Sequence, residues 1–386
     1  MLRALSREHE ITYLTLDDGT AAPDAVELAR EYCSDLETVP FTPSPKGSLS
    51  FFWDLGKNLA SPLPYAVARY RSPELTAALR RLAVADRCDV LVCDFLAPSV
   101  NVPHDGSAGV PTVLFQHNVE AQIWRRHAVV ARDPIRQAYF GRQYHRMVAF
   151  ERAACRRFDR VIAVSEQDAE HFAKEYGASS PGWIPTGVDT EYFRPSGSES
   201  EDGHLVFTGS MDWMPNDEGM IWFVESVLPR IREVKSDVRL TVVGRAPSRR
   251  LRALAGKHPW VTITGRVPDV RPYLERAAAV VVPLRVGGGT RLKIYEAMAM
   301  GKPVVSTTIG AEGLPLTPGR HISLADTVDE MVRACVEVLG NTAYAAGLSS
   351  EAARHVRENF AWPRVASRFA ELCETTVAAS ANTRRT

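Results

Sequence analysis

The segment VPLRVGGGTRLKIYEAMAMGKPVV (282–305) holds the densest potential chemistry in this chain. Three consecutive glycines, Gly287, Gly288 and Gly289, follow an apolar run. Thr290 then stands where a helix N-cap belongs, and a helical pattern begins after it. Glycines let a backbone turn and bring N–H groups close to a ligand. A helix N-terminus adds partial positive charge, so the segment has the form of a phosphate cradle. Arg291 and Lys293 add full charges in the first turn, where a helix dipole favours acids. Cations there cost stability, which suggests a bound anion that offsets them. Glu296 follows Lys293 by one helical turn, on the same face. A carboxylate beside a phosphate site suits paired hydrogen bonds to ribose hydroxyls. The plainer alternative is an ordinary strand–loop–helix turn in which Glu296 pairs with Lys293.

A second stretch departs from the average of the chain. Residues 124–160 hold ten arginines, no lysine and three acids (Asp133, Glu151, Asp159), with Trp124, Tyr139, Phe140, Tyr144 and Phe150 interleaved. Such a stretch can lie on an anionic membrane surface or grip a lipid diphosphate. It can equally be a solvated helix face with its aromatics turned inward.

The elements that must position these groups are those of a parallel α/β protein. Short β-branched runs alternate with longer helical patterns. The runs are ITYLTL (11–16), DVLVCDF (89–95), TVLFQH (112–117) and RVIAVS (160–165), then HLVFTGS (204–210), RLTVVGR (239–245), VTITGRV (261–267), AAVVVPL (278–284) and PVVSTT (303–308). Each is nearly continuous in apolar residues, as expected when helices cover both faces of a sheet. Two domains are expected from 386 residues. The first spans 1–184, a turn-rich hinge spans 185–203, and the second domain spans 204–348. A C-terminal helix at 349–378 and a tail at 379–386 complete the division. A doubly wound domain normally opens with a strand and a glycine-rich turn before its first helix. Met1 to Glu10 read instead as the tail of a helix leading into ITYLTL. Either the first domain is unusual or the chain begins downstream of its true start; a version extended upstream is then expected to be the more stable one.

Composition narrows the function. The chain has 46 basic and 46 acidic residues, 45% hydrophobic and 24% charged residues, as in an ordinary globular protein. No basic surplus points to nucleic acid. No apolar run approaches a membrane span, and MLRALSREHE has no signal-peptide core. Six scattered cysteines read as reduced cytosolic thiols, neither a disulfide frame nor a metal site. The expected location is the cytoplasm, with the inner face of the cytoplasmic membrane as a peripheral site.

The segment 282–305, together with IPTGVDTEYFRP (184–195), FTGSMDWMPN (207–216) and FAWPRVASRF (360–369) in that order, resembles the retaining GT-B glycosyltransferases of family four. The likeness is to the exopolysaccharide-type sugar transferases that read GGGTRLK before the helix. It implies two Rossmann-like doubly wound domains facing a cleft, with the C-terminal helix crossing back to the first. The second domain would bind the nucleotide-sugar donor and the first the acceptor. Glu296 matches the second glutamate of the family's E-x7-E motif, which contacts the ribose. The first glutamate falls at Gly288, so that carboxylate is missing. Backbone N–H groups of Gly289, Thr290, Arg291 and Leu292 match those that hold the diphosphate and sugar, and Gly209 lies in the matched FTGSMDWMPN. The family's basic pair would fall near Ser210 and Pro215, neither of which is basic. Arg291 and Lys293 are expected to supply that charge. GRVPDV (265–270) resembles the loop that reads the base near Arg266 and Val267. FQHNVE (115–120) matches the strand end where the family places a histidine, which makes His117 the acceptor-side candidate.

These residues imply transfer of a sugar from a UDP- or GDP-sugar to a glycan or lipid-diphosphate-linked acceptor, in cell-surface polysaccharide synthesis. The expected chemistry is retaining, with no metal and no cofactor, and with Arg291 and Lys293 on the leaving diphosphate. Two other readings stand beside it: a sugar-nucleotide epimerase of similar fold, and a non-catalytic or truncated nucleotide-sugar binder.

Overall fold

The computed structural model describes residues 1–386 apart from 23, 46, 85–86, 104–108, 132, 287–291 and 384–386. The chain divides into two compact units. One comprises Met1–Pro185 with Ala366–Thr386, and the other Thr186–Val365.

The first unit runs α1 (Leu2–Leu5), β1 (Thr12–Asp17), α2 (Ala25–Arg30), β2 (Asp35–Pro40), α3 (Leu49–Leu59), α4 (Tyr65–Ala68), α5 (Pro73–Leu82) and β3 (Leu91–Asp94). It continues with β4 (Thr112–Gln116), α6 (Glu120–Val130), α7 (Pro134–Arg157), β5 (Arg160–Ala163), α8 (Glu166–Tyr176) and β6 (Gly182–Trp183). All its strand pairs are parallel. They form a two-stranded sheet, β1–β2, and a four-stranded sheet in the order β3-β4-β5-β6. Val113, Leu114, Val161 and Ile162 are fully buried, because helices cover these central strands. The alternating pattern revealed β1, β3, β4 and β5. It missed β2, whose DLETVP carries two acids, and the two-residue β6.

The second unit runs β7 (His204–Thr208), α9 (Met214–Trp222), α10 (Leu228–Val234), β8 (Arg239–Val243), α11 (Arg249–Lys257), β9 (Val261–Gly265), α12 (Arg271–Arg276) and β10 (Ala279–Val282). Then come α13 (Leu292–Ala299), β11 (Val304–Ser306), β12 (Ser323–Leu324), α14 (Val328–Gly340), α15 (Thr342–Phe360) and α16 (Trp362–Thr383). Its six strands lie in the order β12-β11-β10-β7-β8-β9, all parallel. This is the doubly wound arrangement, in which the chain leaves β7 toward one edge and later leaves the adjacent β10 toward the other. A π turn at Phe223–Val227 joins α9 to α10, where Pro229 offers no N–H to a regular helix.

Three boundaries differ from the sequence reading. The hinge expected over 185–203 contains the division between the units at Pro185/Thr186, and its residues from Thr186 on belong to the second unit. Val188 is buried, its N–H donates to Phe360 O at 2.8 Å, and Ser196 N donates to Glu275 Oε1 at 2.8 Å. Gly187 must lack a side chain because a Cβ there would collide with the Trp362 ring. The single C-terminal helix is two, α15 and α16, separated at Ala361. Pro363 explains the break, since it cannot donate to a carbonyl one turn back and restricts the residue before it. The expected tail is helical as far as Thr383. From Ala366 onward α16 belongs to the first unit, where Phe369 packs on Phe115 and Thr376 Oγ1 accepts from Arg160 Nε at 2.6 Å.

Candidate functional site

In an open parallel sheet, ligands bind beyond the carboxyl ends of the strands at the point where strand order reverses. In the second unit that point lies between β7 and β10. The groups gathered there come from three elements. Gly209 follows β7, and its N–H donates to Val243 O of β8 at 2.9 Å. Asn216, buried in α9, donates from Nδ2 to Ser210 O at 2.8 Å. Lys293 reaches over from the first turn of α13; its Nζ donates to Asn216 Oδ1 at 2.7 Å and lies 4.2 Å from the centroid of the Phe207 ring.

Glycine is required at 209 by this clasp. A Cβ there would stand 2.6 Å from Lys293 Nζ and 2.8 Å from Asn216 Nδ2. The helix is fixed by its other face, where Ile294, Tyr295, Ala297 and Met298 are buried and Tyr295 stacks on Phe360 with centroids 4.4 Å apart. Lys293 and Glu296 are left together on the remaining side. Burial raises the Glu296 carboxyl above its ordinary range, and the nearby Lys293 ammonium partly offsets that rise. Glu296 therefore binds a proton more readily than a free carboxylate, and a neighbouring hydroxyl donor would relieve its lost hydration.

Near Ser210, where the sequence reading found no cation, the structure places one. Arg245, just past β8, donates from Nε to Ser210 Oγ at 2.7 Å and pairs with Asp212 at 3.1 Å. Its sequence signal was slight, an arginine after the glycine that ends RLTVVGR. Arg266 is exposed and Val267 packs against the core, both immediately past β9. Leu292 opens α13 and is exposed. Gly288, Gly289, Thr290 and Arg291 lie outside the described residues.

The first unit holds a separate cluster. His117 follows β4, and its Nε2 lies 2.7 Å from Asp94 Oδ1 at the end of β3. Its ring is stacked on Phe95 with centroids 4.1 Å apart, and Phe115 flanks it at 4.4 Å. Phe95 adopts φ 68°, a left-handed conformation that is strained for an aromatic residue. That turn places the Asp94 carboxylate and the Phe95 ring around the same imidazole. Below it, the buried Glu151 accepts from Glu120 N at 2.9 Å and Ala121 N at 3.1 Å, and so caps the N-terminus of α6. Burial pushes the Glu151 carboxyl up to about 8 against the lowering effect of these donors. Sequence reading found His117 but neither Asp94 nor Glu151, because the contacts join separate strands and helices. Of the five aromatics named in 124–160, Trp124, Tyr144 and Phe150 pack against the core of this unit, while Tyr139 and Phe140 are half-buried.

Two family models match the chain. Glycosyltransferase Family 4 covers residues 1–192, and Glycosyl transferases group 1 covers 202–341. The chain belongs to the family-four, group 1 glycosyltransferases. Among curated relatives, this glycosyltransferase is 29% identical over 257 residues to the lipopolysaccharide core biosynthesis mannosyltransferase LpcC of Rhizobium leguminosarum bv. viciae, spanning 62% of this chain and 70% of the relative. It is 26% identical over 271 residues to the lipopolysaccharide core biosynthesis mannosyltransferase LpsB of Rhizobium meliloti, spanning 64% and 75%. D-inositol 3-phosphate glycosyltransferases also match, over about half of their own length. Among solved structures, HepE of Anabaena in complex with UDP superposes with a TM-score of 0.65 at 16% identity, over 95% of this chain and all of HepE. Sucrose-phosphate synthase of Thermosynechococcus elongatus gives 0.60 at 17% identity over 96% of this chain. These structural likenesses establish the GT-B fold of the glycosyltransferase. Among the described residues, no helix is long and apolar enough to cross a membrane.

Proposed function

We propose that this glycosyltransferase takes a hexose from a UDP- or GDP-sugar and passes it, with retention and without a metal, to a glycan or lipid-diphosphate-linked acceptor of the cell surface. The observation that carries the reading is the clasp at the β7/β10 switch point. There a lysine, a buried asparagine and an obligatory glycine converge, with a partly buried carboxylate one helical turn away.

In this mechanism the nucleotide diphosphate lies beside Lys293, which compensates its charge, and Glu296 accepts from the ribose hydroxyls. As the bond from the anomeric carbon to the diphosphate oxygen breaks, negative charge grows on the leaving group. A cation already fixed in place stabilises that charge without reorganisation. On the acceptor side, His117 presents its other ring nitrogen to the acceptor hydroxyl while Asp94 holds Nε2. The mannosyltransferase names of the Rhizobium relatives support a mannosyl donor, and the HepE complex with UDP-glucose supports a uridine nucleotide. The relatives' lipopolysaccharide-core names support a surface-glycan acceptor, and the proposed location is the cytoplasm.

The test is thermal stabilisation and calorimetric titration with UDP, GDP, ADP and CMP. One of UDP or GDP is expected to bind, with Kd raised roughly tenfold to a hundredfold in Lys293→Ala and Glu296→Ala, the loss of one charge-assisted contact each. A folded protein that binds none of the four, or variants that bind as tightly as the parent, would overturn the reading. Transfer that persists in EDTA tests metal independence.

A further inference from the structure

The helix α3 carries large apolar residues on its outward side as well as on its inward one. Its inward positions are Phe51, Asp54, Leu55 and Asn58, two of them polar. Asn58 is buried, donates to Leu63 O at 3.0 Å and receives a hydrogen bond from Gln143. Asp54 accepts from Ser44 Oγ at 2.6 Å. The outward side instead carries Leu49, 90% exposed, Phe52, 59% exposed, and Trp53, 67% exposed. A soluble surface helix keeps its large apolar residues on the inward side, and large exposed apolar groups gathered on one face mark an interaction site.

Cations frame this apolar face. Lys57 Nζ lies 5.2 Å from the centroid of the Trp53 ring. At the C-terminal end of α3, Arg142 and Arg146 of α7 both donate to Leu59 O, at 2.9 and 2.8 Å, and Arg146 also donates to Asn58 O at 2.8 Å. Among the described residues no acid forms an ion pair with Lys57, Arg142 or Arg146. Two turns toward the start of α7 from Arg142, Ile135 is 81% exposed and Arg136 follows it.

We propose that α3 is a docking element for an anionic bilayer surface, with Leu49, Phe52 and Trp53 entering the headgroup–acyl boundary and Lys57, Arg142 and Arg146 meeting the phosphates. The physical case is complementarity. Aromatic rings are favoured at the depth where one end is apolar and the other wet. Long basic side chains reach back to the headgroups from a helix that lies in the surface. The cationic surplus of 124–160 thus acts through its arginines, while the inserting aromatics come from α3. The inference does not depend on the donor reading, because vesicle binding is measured without any nucleotide.

The experiment is flotation of the full chain with phosphatidylcholine vesicles, with and without about 30% phosphatidylglycerol. Binding is expected only to the anionic vesicles and is expected to weaken as salt is raised. The Phe52→Ser/Trp53→Ser variant should lower the partition coefficient at least about tenfold with its melting temperature kept, since both side chains are exposed. Lys57→Glu should weaken binding while leaving nucleotide affinity unchanged. No binding to anionic vesicles, or equal binding by the double variant, would overturn the proposal. So would a concentration-dependent self-association that the double variant abolishes in the absence of vesicles, which would make the face an interface between copies.

Discussion

Replacing Gly209 by alanine tests the switch-point clasp at a position with no side chain of its own. The added Cβ would stand 2.6 Å from Lys293 Nζ and 2.8 Å from Asn216 Nδ2, each well inside van der Waals contact. Lys293 is the end of a flexible side chain and can retreat. Asn216 cannot retreat easily, because it is buried and bonded to Ser210 O at 2.8 Å. The cheapest response is therefore to break the 2.7 Å bond from Lys293 to Asn216. A hydrogen bond to a charged partner is worth about 1.5–3 kcal/mol, and leaving the buried amide oxygen unpaired keeps the loss near the upper end. Residual strain at φ +156° adds to it. The expected destabilisation is about 2–4 kcal/mol. In a unit of this size that lowers the melting temperature by several degrees. Urea unfolding of the parent, Gly209→Ala, Lys293→Ala and the double variant forms a cycle. If displacement of Lys293 is the cause, the double variant should be more stable than the sum of the single losses. A Gly209→Ala protein within about 0.5 kcal/mol of the parent, or strict additivity in the cycle, would refute the reasoning.

Two further outcomes follow from the structure. Asp94→Asn keeps the size of the side chain but removes the charge facing His117 Nε2; turnover is expected to fall about tenfold with nucleotide affinity unchanged. Turnover in Asp94→Asn equal to that of the parent would count against the pairing. Stability should also decline in mild acid. Burial, helped by Arg239, holds the His204 imidazole below its ordinary range in the folded chain. Its contribution is complete above the unfolded value of about 6.5 and is lost as pH falls through it toward the folded value. Urea midpoints between pH about 7.5 and about 5.5 should fall less in His204→Gln than in the parent; identical slopes would exclude His204 as the source.

Much of the second unit is legible in the amino-acid sequence. Continuous apolar runs such as AAVVVPL and RLTVVGR can be satisfied only by strands covered on both faces, so β8 and β10 stand out from residue type alone. Glycine, lysine and glutamate at helical spacing likewise mark Lys293 and Glu296 as partners on one face of α13. The first unit is less legible. β2 hides because DLETVP lacks the β-branched run of a central strand, and the two-residue β6 is defined only by its pairing with β5.

What the sequence determined by itself were the local quantities: strand and helix periods, the glycine-rich turn, and the charge of each segment. Those follow from residue type and spacing along one stretch of chain. Tertiary structure decided which distant residues meet. Arg245 stands beside Ser210 only because β7 and β8 are neighbours, and Asp94 faces His117 only because β3 and β4 are. It also decided that α3 exposes its aromatics and buries Asn58. Sequence reading assigned no element to 49–59, and the contacts from α7 show which face is turned out.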